Sequence, residues 1–417
     1  MRLSQFGQKF CSEAGIVTLM DDLGDALRAN PDMLFMGGGN PARIPEMENA
    51  FQNALSSCLD DERETRELFG VYQSPQGDLA LLDDLADLLN QEYGWPITKA
   101  NIALSNGSQS AFFMLFNMFA GAMPNGEHKK ILFPLAPEYL GYSDQGLSDN
   151  LFKAERPSIE LIGEHFFKYH VDFSRLNITD DIAAICVSRP TNPTGNVISD
   201  DELAQLDALA QAHQIPLIVD GAYGTPFPCI LFTEANPHWN SNTILVLSLS
   251  KLGLPGARTG IVIAHPDIIS AFAKANTILN LAGGNFGPAL AKQLVKSGEI
   301  LRLSRDLVAP YYRQKMERAV ELFMEALAEL PFRIHKPEGA IFLWLWFEGL
   351  PISNQTLYQR LKARGLLVIS GHHFFMGLDE PWQHSQECIR VTYCQDESVI
   401  QQGAALIAEE VHRALKG

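Results

Sequence analysis

Between about residues 101 and 265, short apolar runs alternate with helix-length amphipathic stretches, the pattern of βαβ units wound around a mostly parallel sheet. Five segments predict its strands: 129–134 (KKILFP), 183–188 (AAICVS), 216–220 (PLIVD), 243–248 (TILVLS) and 260–264 (GIVIA). Each is rich in β-branched or large apolar residues and ends in polar or turn residues, as strands covered on both faces do. Ser199 and Glu202 form an S-x-x-E capping box, and Leu203, Leu206 and Leu209 follow at one-turn spacing. This predicts a helix packed on the sheet. After about residue 280 the pattern changes to long helices, such as 310–330, interrupted by the apolar strand 340–347 (AIFLWLWF). There Phe342, Trp344 and Trp346 alternate onto one face, which suits core packing. The expected organisation is an α/β chain with a large domain over 51–295 and a smaller α/β domain over 296–417. Residues 1–50, too short to fold alone, complete the smaller domain or a partner subunit.

A chain of 417 residues with 46% apolar positions can fill two cores of this kind. Its net charge of −17 repels nucleic acid and anionic lipid, so an anionic ligand needs a local cluster of donors. The six cysteines contain no C-x-x-C pair, which argues for reduced thiols and against a zinc or dithiol site. The N-terminus lacks the apolar run of a signal peptide, and the longest apolar stretch, 111–123, is short and carries Asn117. A cytoplasmic protein without membrane or nucleic-acid partners is expected. His372, His373, His384 and Cys388 are irregularly spaced on a loop flanked by Gly and Pro; we read them as surface or substrate-lid residues and expect no metal. The Gly37-Gly38-Gly39 run lacks dinucleotide-binding spacing.

Four segments carry candidate chemistry. In SLSKLGLPGARTG (248–260), Lys251 follows a predicted strand, where open α/β sheets place ligands. A lysine with a lowered pKa there can act as a Schiff-base nucleophile, and Ser248, Ser250 and Arg258 supply donors for a phosphate. Taken alone, S-x-S-K is more often a solvated loop. The S-x-x-K of acyl-serine enzymes must open a helix, which Gly253, Pro255 and Gly256 oppose. In SRPTNPTGNV (188–197), Pro193 stiffens the backbone at Asn192; in PLIVDGAYG (216–224), Asp220 ends a strand three residues before Tyr223. Plain alternatives are a turn for the first and a helix cap for the second. Gly107, Ser108 and Gln109 open a helix after a predicted strand, an anion site or simply a capped end. The conjunction changes the odds, because all four fall at strand ends of one sheet and together provide the groups that pyridoxal phosphate needs.

The set N-P-T-G, D-x-x-Y and S-x-S-K with a following arginine resembles the fold-type I pyridoxal-phosphate-dependent aminotransferases. The segments GGGNPARIPEM, FPLAPEYLGY and HKPEGAIFLWLWF extend the likeness from about Gly37 to Tyr393. The resemblance implies a mostly parallel central sheet of the seven-stranded type, pyridoxal 5'-phosphate on Lys251, and Asp220 keeping the pyridine nitrogen protonated. It implies Asn192 and Tyr223 at the ring's phenolic oxygen, and Ser248, Ser250, Arg258 and Gly107-Ser108-Gln109 around the phosphate. Tyr139 would stack on the ring, while Arg390, Asn192 and the backbone of Gly39 would hold the substrate carboxylate. Tyr72 matches a tyrosine that crosses to the neighbouring subunit's phosphate, so a homodimer is implied. The implied reaction moves an amino group between valine, or a similar small neutral amino acid, and pyruvate, giving 3-methyl-2-oxobutanoate and alanine. A lyase or decarboxylase on the same fold is one alternative. A non-catalytic regulator is another, but such proteins carry an N-terminal DNA-binding module, and fewer than forty residues precede GGGNP.

Overall fold

The computed structural model describes residues 2–11 and 15–417. Its larger sheet has eight strands, in the order Ile102–Ser105, Gly260–Ile263, Thr243–Ser248, Leu217–Asp220, Ile182–Ser188 and His128–Phe133, with Gly121–Ala122 and Phe152–Ala154 both on the last. Gly260–Ile263 runs against both its neighbours, and Gly121–Ala122 runs against His128–Phe133. The other pairings are parallel. The two-residue Gly121–Ala122 takes the count one beyond the seven-stranded type. All five predicted strands occur within two residues of their expected limits, because strands buried on both faces must be continuously apolar.

Register brings the polar strand ends onto one edge. Ser188 pairs with Asp220, Ser248 with Gly260, and Gly260 with Ser105. The helix Ser108–Phe119 turns Ala111, Phe112, Leu115 and Phe116 into the core. The capping box at Ser199 forms as expected, with Ser199 Oγ accepting from Glu202 N–H and Glu202 accepting from Ser199 N–H, which fixes the start of Asp200–Ala212.

A second sheet has six strands in the order Ile369–Ser370, Cys388–Thr392, Phe342–Trp346, Arg333–His335, Phe166–His170 and Ser158–Ile162. The hairpin 158–170 comes from the middle of the range expected to form the larger unit, yet it pairs here, through Ile334 and Phe166. The start of the chain joins the same side: Leu34–Phe35 pairs with Leu366–Leu367, and Met36 accepts from Thr392 N–H.

The histidine loop departs from its expected place on the surface. His384 is buried, bonded to Tyr169 Oη and enclosed by the rings of Trp346 and Trp382 at 4.5 and 4.6 Å, and burial pushes its pKa down to about 3. His372 is half-buried and bonds Asn354. The aromatic residues Phe374, Phe375 and Trp382 pull the loop inward, because burying them outweighs the cost of desolvating neutral imidazoles. No helix among the described residues is long and apolar enough to cross a membrane.

Candidate active site

The polar edge of the larger sheet opens into a cleft of about 570 Å³ lined by residues from both ends of the chain. Lys251 enters it from a tight turn, Ser250–Leu252, which follows the strand Thr243–Ser248 and is braced by Ser248 Oγ accepting from Ser250 N–H at 3.1 Å. Gly253 continues the turn with φ of +120°, a conformation that a side chain would strain. The half-buried Lys251 donates to the Gly39 carbonyl, and its Nζ sits 5.2 Å from the centre of the Tyr223 ring. Burial, reinforced by Arg390 and Arg258 against the pull of Cys394 and Asp220, lowers its pKa to about 8. An ammonium has thus become an amine that can exist free near neutrality.

Asp220 ends its strand with Oδ1 accepting from Ala222 N–H at 2.9 Å and Oδ2 accepting from the fully buried Tyr142 hydroxyl. Burial still raises its pKa, outweighing both hydrogen bonds and the Lys251 charge, so the carboxyl has no adequate counter-charge among the described residues. Beside it, Glu138 is buried with no cation among the described residues to pair with it, accepting from Ser188 N–H at 2.9 Å and lying 2.6 Å from Ser188 Oγ. Burial pushes Glu138 up to about 8. Neither Tyr142 nor Glu138 stands in a motif of its own, although both lie within three residues of Tyr139 in PEYLGY.

Arg390 is buried across the cleft on Cys388–Thr392, donating to Asn192 Oδ1 and to the Gly37 carbonyl, each at 2.8 Å. Its guanidinium lies 4.0 Å from the centre of the Phe342 ring, and its Nε is buried without a partner. Burial lowers its pKa to about 10. The glycine carbonyls divide the work: Gly37 orients Arg390, while Gly39, the residue expected near the carboxylate, accepts from Lys251. Tyr223 is buried and its phenol is pushed up, so it stays protonated as a donor.

The helix Ser108–Phe119 points its N-terminus into the cleft with Gly107 at the cap, φ +83°, and no side chain closing it. A Cβ on Gly107 would overlap the Arg258 guanidinium, so glycine is what lets that cation approach the helix start. Ser108, Ser248, Ser250 and Arg258 all face the same space. Gln109 lines it too, but directs its amide to the Gly141 carbonyl at 2.9 Å. Tyr139 forms a wall, its ring edge-on to Tyr142 at 5.2 Å. Tyr72 lies outside the cleft at 81% exposure. A wall the sequence did not announce comes from the helix Gly15–Ala29, whose Leu19 and Leu23 line the cleft.

These residues fit pyridoxal phosphate by their unmet needs. Among the described residues none of Lys251, Arg258 and Arg390 forms a salt bridge, although each points into one cleft. Asp220 would gain a counter-charge from a protonated ring nitrogen, Arg258 and the open helix start would gain one from a phosphate, and Lys251 offers the amine for an aldehyde.

The profile of the family "Aminotransferase class I and II" matches residues 45–407. The chain is 53% identical over 414 residues to valine–pyruvate aminotransferase of Escherichia coli (strain K12), covering 99% of each. A crystal structure of valine-pyruvate aminotransferase from Salmonella typhimurium LT2 superposes with a TM-score of 0.89 at 51% identity, over 96% of this chain and 100% of that one. A candidate amino-acid aminotransferase from Psychrobacter arcticum 273-4 superposes with a TM-score of 0.97 at 45% identity, over 100% of both chains.

Proposed function

Because the chain belongs to the class I and II aminotransferases, which use pyridoxal 5'-phosphate, we propose that it exchanges the amino group of valine, or a similar small neutral amino acid, with pyruvate. The products are 3-methyl-2-oxobutanoate and alanine, made in two half-reactions. The relative at 53% identity is named for these substrates, which supports the same choice here. The observation that carries the reading is Arg390: a buried guanidinium, pre-oriented by Asn192 and Gly37, with an unpaired Nε and no carboxylate partner among the described residues.

When bound, pyridoxal phosphate supplies the carbonyl that exchanges amino groups and an electron-withdrawing ring that stabilises negative charge at Cα. Arg390, with Asn192 beside it, binds the α-carboxylate and fixes the amino acid in one orientation. Lys251 holds the cofactor between turnovers and serves as the base that takes the Cα proton, a task its lowered pKa suits. Asp220 keeps the ring nitrogen protonated, and Tyr142 holds Asp220 in place. Tyr223 and Asn192 serve the phenolic oxygen, Tyr139 covers the ring, and Ser108, Ser248, Ser250, Arg258 and the backbone of Gly107 and Gln109 hold the phosphate.

Our reading includes a homodimer in which Tyr72 reaches the partner's phosphate. Tyr72 is exposed beside Phe69, which meets Phe286 edge-on at 5.9 Å, and Asn285 clamps the carbonyls of Glu67 and Val71 at 2.8 Å each. Ile278, Leu281 and Phe286 are further exposed apolar residues on the segment that carries Asn285, of the kind a partner subunit covers. The division into a 51–295 domain, from which the hairpin 158–170 joins the sheet of the second unit, and a cytoplasmic location complete the proposal. The test is purified protein with valine and pyruvate: stoichiometric keto acid and alanine are expected, with none from Lys251→Ala. A borohydride-trapped cofactor on any residue other than Lys251, or keto acid released without alanine, overturns it.

A further inference from the structure

We propose that the helix Gly15–Ala29 builds the socket that selects the substrate side chain, Leu19 and Leu23 closing it opposite Phe35 and Ile369. This rests on the reading that Arg390 and Lys251 hold the carboxylate and amine. All four lie in the same cleft as those two groups. Ile369 is the cross-strand neighbour of Arg390, and its Cδ1 lies 3.2 Å from where a Cβ on Gly37 would stand. The Phe35 ring would meet a Cβ on Gly38 at 2.8 Å. The two therefore flank the glycine turn whose carbonyls orient Arg390 and Lys251. A substrate held at both those points sends its side chain past the turn toward the helix, where Leu19 and Leu23 are 8% and 5% exposed.

The charges agree with this geometry. The described cleft-lining residues carry charge only at Asp220, Lys251, Arg258 and Arg390, each already assigned to the cofactor or the α-carboxylate. No cation among the described lining residues remains for a second carboxylate, and burying one unpaired in an aliphatic socket is strongly unfavourable. The socket also has a fixed length. Asp22, on the helix, accepts from Tyr358 Oη and Lys362 Nζ of Asn354–Ala363. Asn354 in turn donates to the Cys388 carbonyl at 2.8 Å, on the Arg390 strand. The wall and the carboxylate anchor are thus tied into one frame, and a branched aliphatic side chain buries more apolar surface against this wall than a methyl group does.

The experiment uses holoenzyme with Leu19→Ala, Leu23→Ala and Ile369→Val. The ratio of kcat/KM for valine to that for alanine should fall roughly tenfold in each Leu variant. In Ile369→Val, which removes one methylene and leaves the helix intact, it should fall about fourfold. Calorimetry of the non-reacting acids isovalerate and acetate should show the same loss for isovalerate relative to acetate. Ratios within about twofold of wild type in Ile369→Val and in whichever Leu variants fold overturn the socket. Failure of the underlying reading looks different: Arg390→Met would then leave acetate affinity unchanged.

Discussion

Glu138→Gln tests whether a buried acid beside Asp220 carries its proton at neutral pH. Burial raises the pKa of Glu138 from 4.5 to about 8 in the folded chain. Between those values the native state binds a proton that the unfolded state has released, so stability falls as pH rises from about 4.5 to about 8. At about 1.4 kcal/mol per pH unit, the wild type forfeits up to about 5 kcal/mol over that window. The protonated acid can donate to Ser188 Oγ across 2.6 Å while still accepting from Ser188 N–H and, at 3.2 Å, from Tyr139 N–H. The glutamine amide reproduces the first two contacts but turns a donor toward Tyr139 N–H, at a pH-independent cost of about 1 kcal/mol. Glu138→Gln should therefore be the less stable protein by about 1 kcal/mol near pH 4, cross the wild type at about pH 5, and be the more stable by roughly 3–4 kcal/mol near pH 8.5. The assay is urea denaturation of both proteins across this range at fixed protein and cofactor concentration. A difference that never changes sign, with the variant weaker at every pH, would refute the reasoning and mark Glu138 as an ionised acceptor of three hydrogen bonds.

Lys251 reacts as the free amine, so capture of pyridoxal phosphate by apoenzyme should quicken about tenfold per pH unit below pH 8 and level off above it. Stopped-flow absorbance reads this, and a rate still climbing at pH 10 contradicts a lowered pKa. Gly107→Ala displaces Arg258 from the helix start, so affinity for pyridoxal phosphate should fall tenfold or more while affinity for unphosphorylated pyridoxal is unchanged. Equal losses for both ligands would place the phosphate elsewhere. Arg390→Met should lower kcat/KM for valine by about thirtyfold or more, from the 2–5 kcal/mol typical of a desolvated ion pair, with cofactor loading intact. Steady-state kinetics beside a cofactor absorbance titration separates the two effects.

Much of this protein was legible in one dimension. Strands covered on both faces must be continuously apolar, so five of them stand out of the sequence, and the polar residues that end them mark the edge where ligands bind. Asp220, Ser248 and Lys251 could be found for that reason. Tertiary structure alone decided the rest, because local periodicity carries no information about which distant segment supplies a partner. Asn192 and Arg390 meet across 198 positions of chain, and the glycine turn that orients Arg390 is 353 positions away from it. The hairpin 158–170 looks locally like part of the larger unit, but its pairing places it in the second sheet. His384 reads as a surface residue until the rings of Trp346 and Trp382 close over it. Glu138, Tyr142, Leu19 and Leu23 carry no motif of their own; burial and proximity to the cleft, both products of packing, give them their roles.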